Sequence, residues 1–297
     1  MSLHGFLNIR KPIGMTSRKV VDWAEALLGK EIKMGHAGTL DPLASGVLIL
    51  ALGQAVRFIA YMQDAPKTYR SCFHFGFTST TDDAEGERTP FPNPLIPEAD
   101  AVHRSLSHFQ GEIEQIPPQF SAVRQRGKRA YKQARKGFNV PLEPRRVHID
   151  RLTVMHYQFP NLELEIECRK GTYIRSLARD LGQRLGCGGY VAQLERTRIG
   201  PFTLGQSCPM TYNAAELRAH VEPMDCLASI YPSFRFPPDL VQRIQFGQRF
   251  ICKAIPEHEP AGMKVILDQQ GHFVAMVRIE PGQRYLLPER VWQPNRD

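Results

Sequence analysis

Cysteine is sparse and scattered. The six thiols (Cys72, Cys168, Cys187, Cys208, Cys226, Cys252) never form a C-x-x-C pair, no His–Cys cluster has zinc spacing, and H-E-x-x-H is absent. The common zinc frameworks and dithiol redox motifs are thereby excluded, and a metal-dependent mechanism has no support in the sequence. No apolar run approaches the roughly 18 residues of a membrane span. The N-terminus, Met1-Ser2-Leu3-His4-Gly5, lacks the basic and then apolar character of a secretory signal, so a cytoplasmic protein is expected. There is no internal repeat and no low-complexity segment. What remains is ordinary globular composition, 42% hydrophobic and 23% charged over 297 residues, enough for a large domain plus a small one.

The charge is uneven. From Arg124 to Arg146 stand nine basic residues (Arg124, Arg126, Lys128, Arg129, Lys132, Arg135, Lys136, Arg145, Arg146) against the single acid Glu143. Nine minus one is +8, the whole formal excess of the chain. A solvated basic loop is one reading. Gly127, Tyr131, Gly137, Phe138 and Asn139 interleave the charges with flexible backbone and stacking faces, a mixture suited to a phosphate backbone and exposed bases.

Periodicity organises the rest. Gly5 to Ile9 alternates as a short strand. Thr16 or Ser17 is placed to cap a helix whose apolar positions are Val20, Val21, Ala24, Leu27 and Leu28, stopped by Gly29. A short helix is expected over Ala55 to Met62. Lys67 to Phe77 alternates, placing Tyr69, Ser71, Phe73, Phe75 and Phe77 on one strand face. Thr78 to Glu87 reads as an acidic, hydroxyl-rich loop, and Val102, Leu106 and Phe109 mark a helix. Val147–Phe159 and Leu162–Cys168 read as a strand pair, Ile174 to Leu185 has helical spacing, and Tyr190–Ile199 returns as a strand. Pro223, Pro232, Pro237 and Pro238 suggest a linker, and Gln269-Gln270-Gly271 reads as the turn of a hairpin in a small β-rich tail from about residue 235.

The most informative stretch runs from Gly35 to Gly46, Gly-His-Ala-Gly-Thr-Leu-Asp-Pro-Leu-Ala-Ser-Gly. Pro42 pushes Asp41 toward extended backbone, and the glycines admit close approach of other groups. Asp41 is the one acid in the stretch. By itself, Asp-Pro is ordinary turn punctuation. Three further elements carry chemistry-bearing side chains: Lys67-Thr68-Tyr69 opening the alternating strand, Arg169-Lys170-Gly171-Thr172-Tyr173-Ile174-Arg175 at a strand-to-helix junction, and Leu194 on the following strand. Each alone has a plainer explanation as strand aromatic, surface charge or core.

In this order the blocks resemble the TruB family of tRNA pseudouridine synthases. The resemblance takes in Lys11-Pro12-Ile13-Gly14-Met15-Thr16-Ser17, Gly35 to Gly46, Lys67-Thr68-Tyr69, Gly127-Lys128-Arg129-Ala130-Tyr131 with Ala134-Arg135-Lys136-Gly137, and Lys170 to Arg175. It spans roughly the first 230 residues; the tail looks like a short version of the PUA-type RNA-binding domain of these enzymes. The fold implied is α+β: a pseudouridine-synthase domain over 1–234, with a mixed, largely antiparallel central sheet flanked by helices and an inserted basic thumb at about 117–146, then a PUA-like domain over 235–297.

The resemblance implies isomerisation of uridine 55 in the T-loop of tRNA, without cofactor or metal, by a monomer needing no obligatory protein partner and no membrane. Asp41 is then the nucleophile, with ribose and base both open as its target. Arg175 pairs with Asp41 and favours its charged form. Tyr69 stacks on the turned-out base and helps remove the carbon-5 proton. Leu194 packs on the other face of the base, and His36 fills the space that the base vacates. Lys67, Lys170 and Tyr173 join the RNA contacts, and Arg126, Lys128, Arg129 and Lys132 grip the backbone from the thumb. The chain departs from the family pattern at Thr80, usually Asp, with Asp82 and Asp83 close by to substitute; Ala37, Phe120 and Arg124 also differ. Alternatives are a guide-RNA-dependent synthase of the dyskerin type, a tRNA-binding or tRNA-folding protein without catalysis, and a nucleobase glycosylase.

Overall fold

The computed structural model describes residues 3–121, 123–125, 128–129, 141–280 and 285–293. In chain order its strands are β1 (Gly5–Lys11), β2 (Met34–His36), β3 (Ser45–Leu52), β4 (Lys67–Phe75), β5 (Phe77–Ser79), β6 (Arg88–Pro90), β7 (Gly111–Gln115), β8 (Arg124–Gln125) and β9 (Lys128–Arg129). There follow β10 (Arg145–Gln158), β11 (Asn161–Cys168), β12 (Gly189–Ile199), β13 (Phe202–Thr203), β14 (Val221–Glu222), β15 (Ser233–Arg235), β16 (Phe250–Ile251), β17 (Gly262–Leu267), β18 (Phe273–Ile279) and β19 (Tyr285–Val291). Ten of them form one mixed sheet in the order β14-β1-β3-β12-β4-β11-β10-β7, with β2 beside β3 and β13 beside β12. The pairing of β12 with β3 is parallel and the other pairings of this sheet are antiparallel, so the expected α+β class holds.

The alternation of β4 does what its pattern asks: Tyr69, Ser71, Phe73 and Phe75 are buried while Arg70 faces solvent. The strand ends earlier than the pattern predicts. Gly76 adopts φ +87°, the chain turns there, and Phe77 emerges partly exposed at the start of the β5–β6 hairpin. Thr78 to Glu87 is thus the tip of a hairpin rather than a free loop. The helix expected over Ala55–Met62 is a 3-10 turn (Gly53–Phe58) running into an α-helix (Ile59–Asp64). Thr16, not Ser17, caps the helix Ser17–Leu28, accepting from the Lys19 amide at 3.2 Å.

Helices Ser17–Leu28 and Ile174–Arg184 lie on one face of the sheet, their apolar stripes (Val20, Val21, Ala24, Leu28; Ile174, Leu177, Leu181) packed on Leu7, Ile9, Leu48, Leu50, Phe73 and Phe75. Burying that many aliphatic and aromatic side chains, at roughly 25 cal/mol per Å² of apolar surface, fixes the sheet that carries the site. The opposite face of β1 and β3 presents Phe6, Val47, Ile49 and Ala51 to a second core. That core includes Val265, Leu267, Phe273 and Met276 of a separate five-stranded sheet ordered β15-β17-β18-β19-β16. Phe58 meets Phe273 edge-on at 5.3 Å and Trp292 at 6.0 Å, and Asp225 accepts from the Phe273 amide at 2.6 Å. The proline-bearing stretch expected as a linker is therefore ordered: β14 pairs with β1, a 3-10 helix covers Met224–Ser229, and β15 pairs with β17. The shared apolar contacts hold it in place.

Candidate active site

The Asp41 loop is held by the N-terminal block. Lys11, fully buried, donates from Nζ to the carbonyls of Pro12 (2.9 Å), Met15 (2.7 Å) and Pro42 (3.4 Å). The Gly14 amide also donates to Pro42 O, at 2.7 Å. The Ser17 hydroxyl accepts from the Leu40 amide at 2.9 Å and donates to the Leu40 carbonyl at 3.1 Å. Both neighbours of Asp41, Leu40 and Pro42, are thus tied to the Lys11–Ser17 block, and the carboxylate projects from a fixed backbone. At the loop's far end Gly46 has φ +105°, and a Cβ there would sit 2.2 Å from Arg196 O. Only glycine lets β3 lie against β12 at that point.

Asp41 opens into a cavity of about 300 Å³ that Lys67, Tyr69, Lys170, Tyr173, Arg175, Leu194 and Arg196 also line. Arg175 Nη2 lies 2.8 Å from Asp41 Oδ2, bringing together residues on a loop and on the first turn of the helix Ile174–Arg184. The Arg175 side chain is almost wholly buried and its fork is filled: Nη1 donates to Thr81 O at 3.3 Å and stands 3.5 Å from Asp83 Oδ2, while Nη2 donates to Phe120 O at 3.1 Å. A buried guanidinium held by two carboxylates and two carbonyls is a fixed charge rather than a swinging arm.

The two acids near Thr80 part company. Asp83 faces Arg175, and Asp82, in the left-handed region at φ 59°, pairs with Arg179 at 2.9 Å. Asp83 is further anchored by Thr81 Oγ1 and by the Glu85 amide at 3.0 Å. Thr80 pairs with Glu87 within the hairpin, its amide donating to Glu87 O and its Oγ1 accepting from the Glu87 amide, each at 3.1 Å.

Tyr69 is buried on β4, directly opposite Arg196 of β12 and beside Ile166 of β11. Burial pushes its phenol above the ordinary value, and the neighbouring Arg196 guanidinium opposes that shift. Leu194, two positions before Arg196, is buried on β12. Lys67 is buried, donating to Ala65 O at 2.7 Å and to Gln63 O. Burial lowers its pKa from 10.5 to about 8, and Lys11 falls to about 8 for the same reason. Tyr173 immediately precedes the helix of Arg175, where the Gln115 side chain brackets its peptide: the Tyr173 amide donates to Oε1 at 2.8 Å and Nε2 donates to Tyr173 O at 3.0 Å. Lys170 is largely exposed, paired with Asp64 at 2.6 Å.

His36 lies on β2, outside the cavity lining, with Nδ1 buried and without a hydrogen-bond partner. Burial, with Arg196 and Arg18 nearby, pushes its imidazole below the ordinary value, so the ring is neutral near pH 7. Arg126 and Lys132 lie outside the described residues. Of Lys128 and Arg129 the backbone is described, as β9 paired with β8.

Sequence reasoning missed Asp83 as distinct from Asp82, Gln115, and above all Arg196. The signal for Arg196 was present: a charged residue two positions from Leu194 shares its strand face, and a charge on an inward face asks for a reason.

A family model described as TruB family pseudouridylate synthase (N terminal domain) matches residues 26–174, and one described as tRNA pseudouridylate synthase B C-terminal domain matches 175–228. The tRNA pseudouridine synthase B of Thiobacillus denitrificans (strain ATCC 25259 / T1) is 37% identical over 295 residues, 98% of this chain and 96% of that protein. The protein of the same name from Pseudomonas syringae pv. syringae (strain B728a) is 44% identical over 206 residues, 69% of this chain and 67% of that protein. Among solved structures, a chain of a Cbf5–Nop10–Gar1 complex matches with TM-score 0.76 and 25% identity, over 98% of this chain and 85% of that one. A chain of an H/ACA RNP bound to a substrate RNA containing 2'-deoxyuridine shares the fold at TM-score 0.73, with 24% identity over 98% of this chain and 85% of that one.

Proposed function

The chain belongs to the TruB family of pseudouridylate synthases, and from that membership we propose that it isomerises uridine 55 in the T-loop of tRNA, with Asp41 as the nucleophile. The observation that carries this reading is the Asp41–Arg175 pair at 2.8 Å, facing a cavity whose walls include Tyr69 and Leu194. A uracil is a flat ring of modest size, and a cavity of about 300 Å³ walled by an aromatic and an aliphatic side chain suits a base turned out of its stack.

Asp41 attacks once the base is seated, breaking the N-glycosidic bond or preparing its cleavage. Arg175, fixed by Asp83 and two carbonyls, orients the carboxylate. The freed uracil turns between Tyr69 and Leu194 until carbon 5 bonds to the ribose, the bond to Asp41 breaks and returns its carboxylate, and the Tyr69 oxygen receives the carbon-5 proton. Residues 1–234 form the catalytic unit and 235–297 a PUA-like unit that adds contacts to the rest of the tRNA. The basic segment from Arg124 to Arg146 supplies phosphate contacts, the T-arm supplies shape, and the protein acts as a monomer.

The test is incubation of purified protein with unmodified tRNA, without guide RNA, followed by site-specific chemical mapping of pseudouridine. Modification confined to the T-loop position, abolished by Asp41→Asn while tRNA binding persists, is expected. Activity that appears only with an added guide RNA would favour the dyskerin-type reading, and full activity of Asp41→Asn would remove Asp41 from the chemistry.

A further inference from the structure

Arg196 is the largest of the fully buried side chains, 1% exposed. Among the described residues no carboxylate lies within 4 Å of it. Its guanidinium donates instead to three carbonyls: Nε to Val47 O at 2.8 Å, Nη1 to Thr39 O at 3.4 Å and Nη2 to Gly38 O at 3.3 Å. Two of those carbonyls belong to the loop that carries Asp41. Across the β12–β4 ladder its register partner is Tyr69.

Burying a guanidinium without a counter-charge is costly, and neutral carbonyls recover only part of that cost. The charge is therefore felt by its surroundings: Lys11, Lys67 and His36 are each disfavoured as cations partly by Arg196. The groups acting on the Tyr69 hydroxyl come from three directions: Arg196 on β12, Cys168 on β11 and Asp41 on its loop. Arg196 is the one cation of the three.

We propose that Arg196 is a positioning residue that couples the two halves of the chemistry, holding the Asp41 loop through Gly38 and Thr39 and presenting its charge to the Tyr69 oxygen. This rests on the reading of Tyr69 as the acceptor of the carbon-5 proton. In that step the C5–H bond breaks, its proton passes to the Tyr69 oxygen in its phenolate form, and the bonding pair returns to the pyrimidine ring. Arg196 favours the phenolate, which a buried phenol would otherwise resist.

The experiment is a double-mutant cycle in single turnover, followed across pH with carbon-5-deuterated tRNA. Arg196→Gln should lower the rate by on the order of 100-fold near neutral pH, a general base's usual share. The loss should shrink as pH rises and bulk solvent takes over the phenol proton, and deuterium should slow this variant more than wild type. On a Tyr69→Phe background the same substitution should cost distinctly less than in the wild type, since one of its two tasks is already gone and only its hold on the Gly38 and Thr39 carbonyls remains to be lost. Arg196→Lys, which keeps a cation, should restore the wild-type pH profile, and a cooperative melt of each variant, checked first, decides which of the two is compared with the wild type. Equal losses at every pH, additive with Tyr69→Phe, would overturn the coupling, as would a Lys variant as impaired as the Gln one. Wild type inactive on unmodified tRNA would overturn the functional reading and this inference with it; an active wild type with additive losses overturns this inference alone.

Discussion

Asp83 Oδ2 stands 3.5 Å from Arg175 Nη1, while Asp41 meets the other terminal nitrogen, Nη2, at 2.8 Å. Arg175 therefore holds one enclosed carboxylate and one that opens on the cavity. The enclosed one is nearly inaccessible, whereas Asp41 keeps about a third of its side-chain surface open toward the cavity. That asymmetry fits one acid to hold the arginine and the other to meet substrate.

Asp83→Ala should accordingly impair turnover without touching substrate. Removing one partner of a buried pair costs on the order of 3 kcal/mol of stability, much of it from the charge left behind. Single-turnover rate should fall at least about tenfold, one tenfold step being 1.4 kcal/mol in the barrier, while tRNA affinity stays near wild type. Asp82→Ala, which removes only the pair with Arg179, should leave the chemical step much closer to wild type. Similar rate losses in both variants would show that the hairpin tip, not the Asp83–Arg175 contact, matters.

Tyr69→Phe separates stacking from proton transfer. The ring stays available for the base, a contact worth roughly 1–3 kcal/mol, while the oxygen is lost. Filter binding should be little changed and single-turnover conversion should fall by roughly 100-fold or more. Tyr69→Leu should lose both. Full turnover by the Phe variant would move the proton acceptor elsewhere.

Lys67 sets a pH signature in stability. Its folded pKa of about 8 lies below the ordinary 10.5, so between those values the unfolded chain binds more protons than the folded one. Stability contributed by this group therefore rises with pH across that window, and the penalty of its buried charge is fully present below about pH 8. Denaturant melts of wild type and Lys67→Met from pH 7 to 10.5 should show wild type gaining stability relative to the variant as pH rises; Lys11 is common to both and cancels. A constant difference would mean Lys67 is not desolvated.

The five-stranded sheet should behave as part of the same structure rather than as a tethered bead. Phe273→Ala removes a ring that packs on Phe58 and Trp292 and should cost about 3–5 kcal/mol in chemical denaturation. Truncation at about residue 235 would uncover Phe58 and Met62, so the shortened protein should melt lower while still modifying a minimal T-arm hairpin if it folds. Unchanged melting after either alteration would contradict the shared core.

Much of this was legible in the chain alone. Local chemistry fixed the break at Asp41-Pro42, the alternation of Tyr69 to Phe75, and the helical stripe from Ile174 to Leu185, because each depends on neighbours a few residues away. The ordered blocks around Asp41, Tyr69 and Arg175 identified the family before any contact was known. Periodicity tells which face a side chain takes, but not which strand lies beside it or in what register. The choice of Asp83 over Asp82 for Arg175 hung on the φ of 59° at Asp82, a detail of one hairpin tip. The Lys11–Ser17 block matched the family without revealing its task, which is to hold Leu40 and Pro42 from across a turn. Arg196 depended most on the tertiary structure. Only the parallel join of β12 to β3 and its antiparallel join to β4 set that guanidinium between the Gly38–Thr39 carbonyls and Tyr69, and only burial there turns an unremarkable arginine into a fixed charge at the centre of the site.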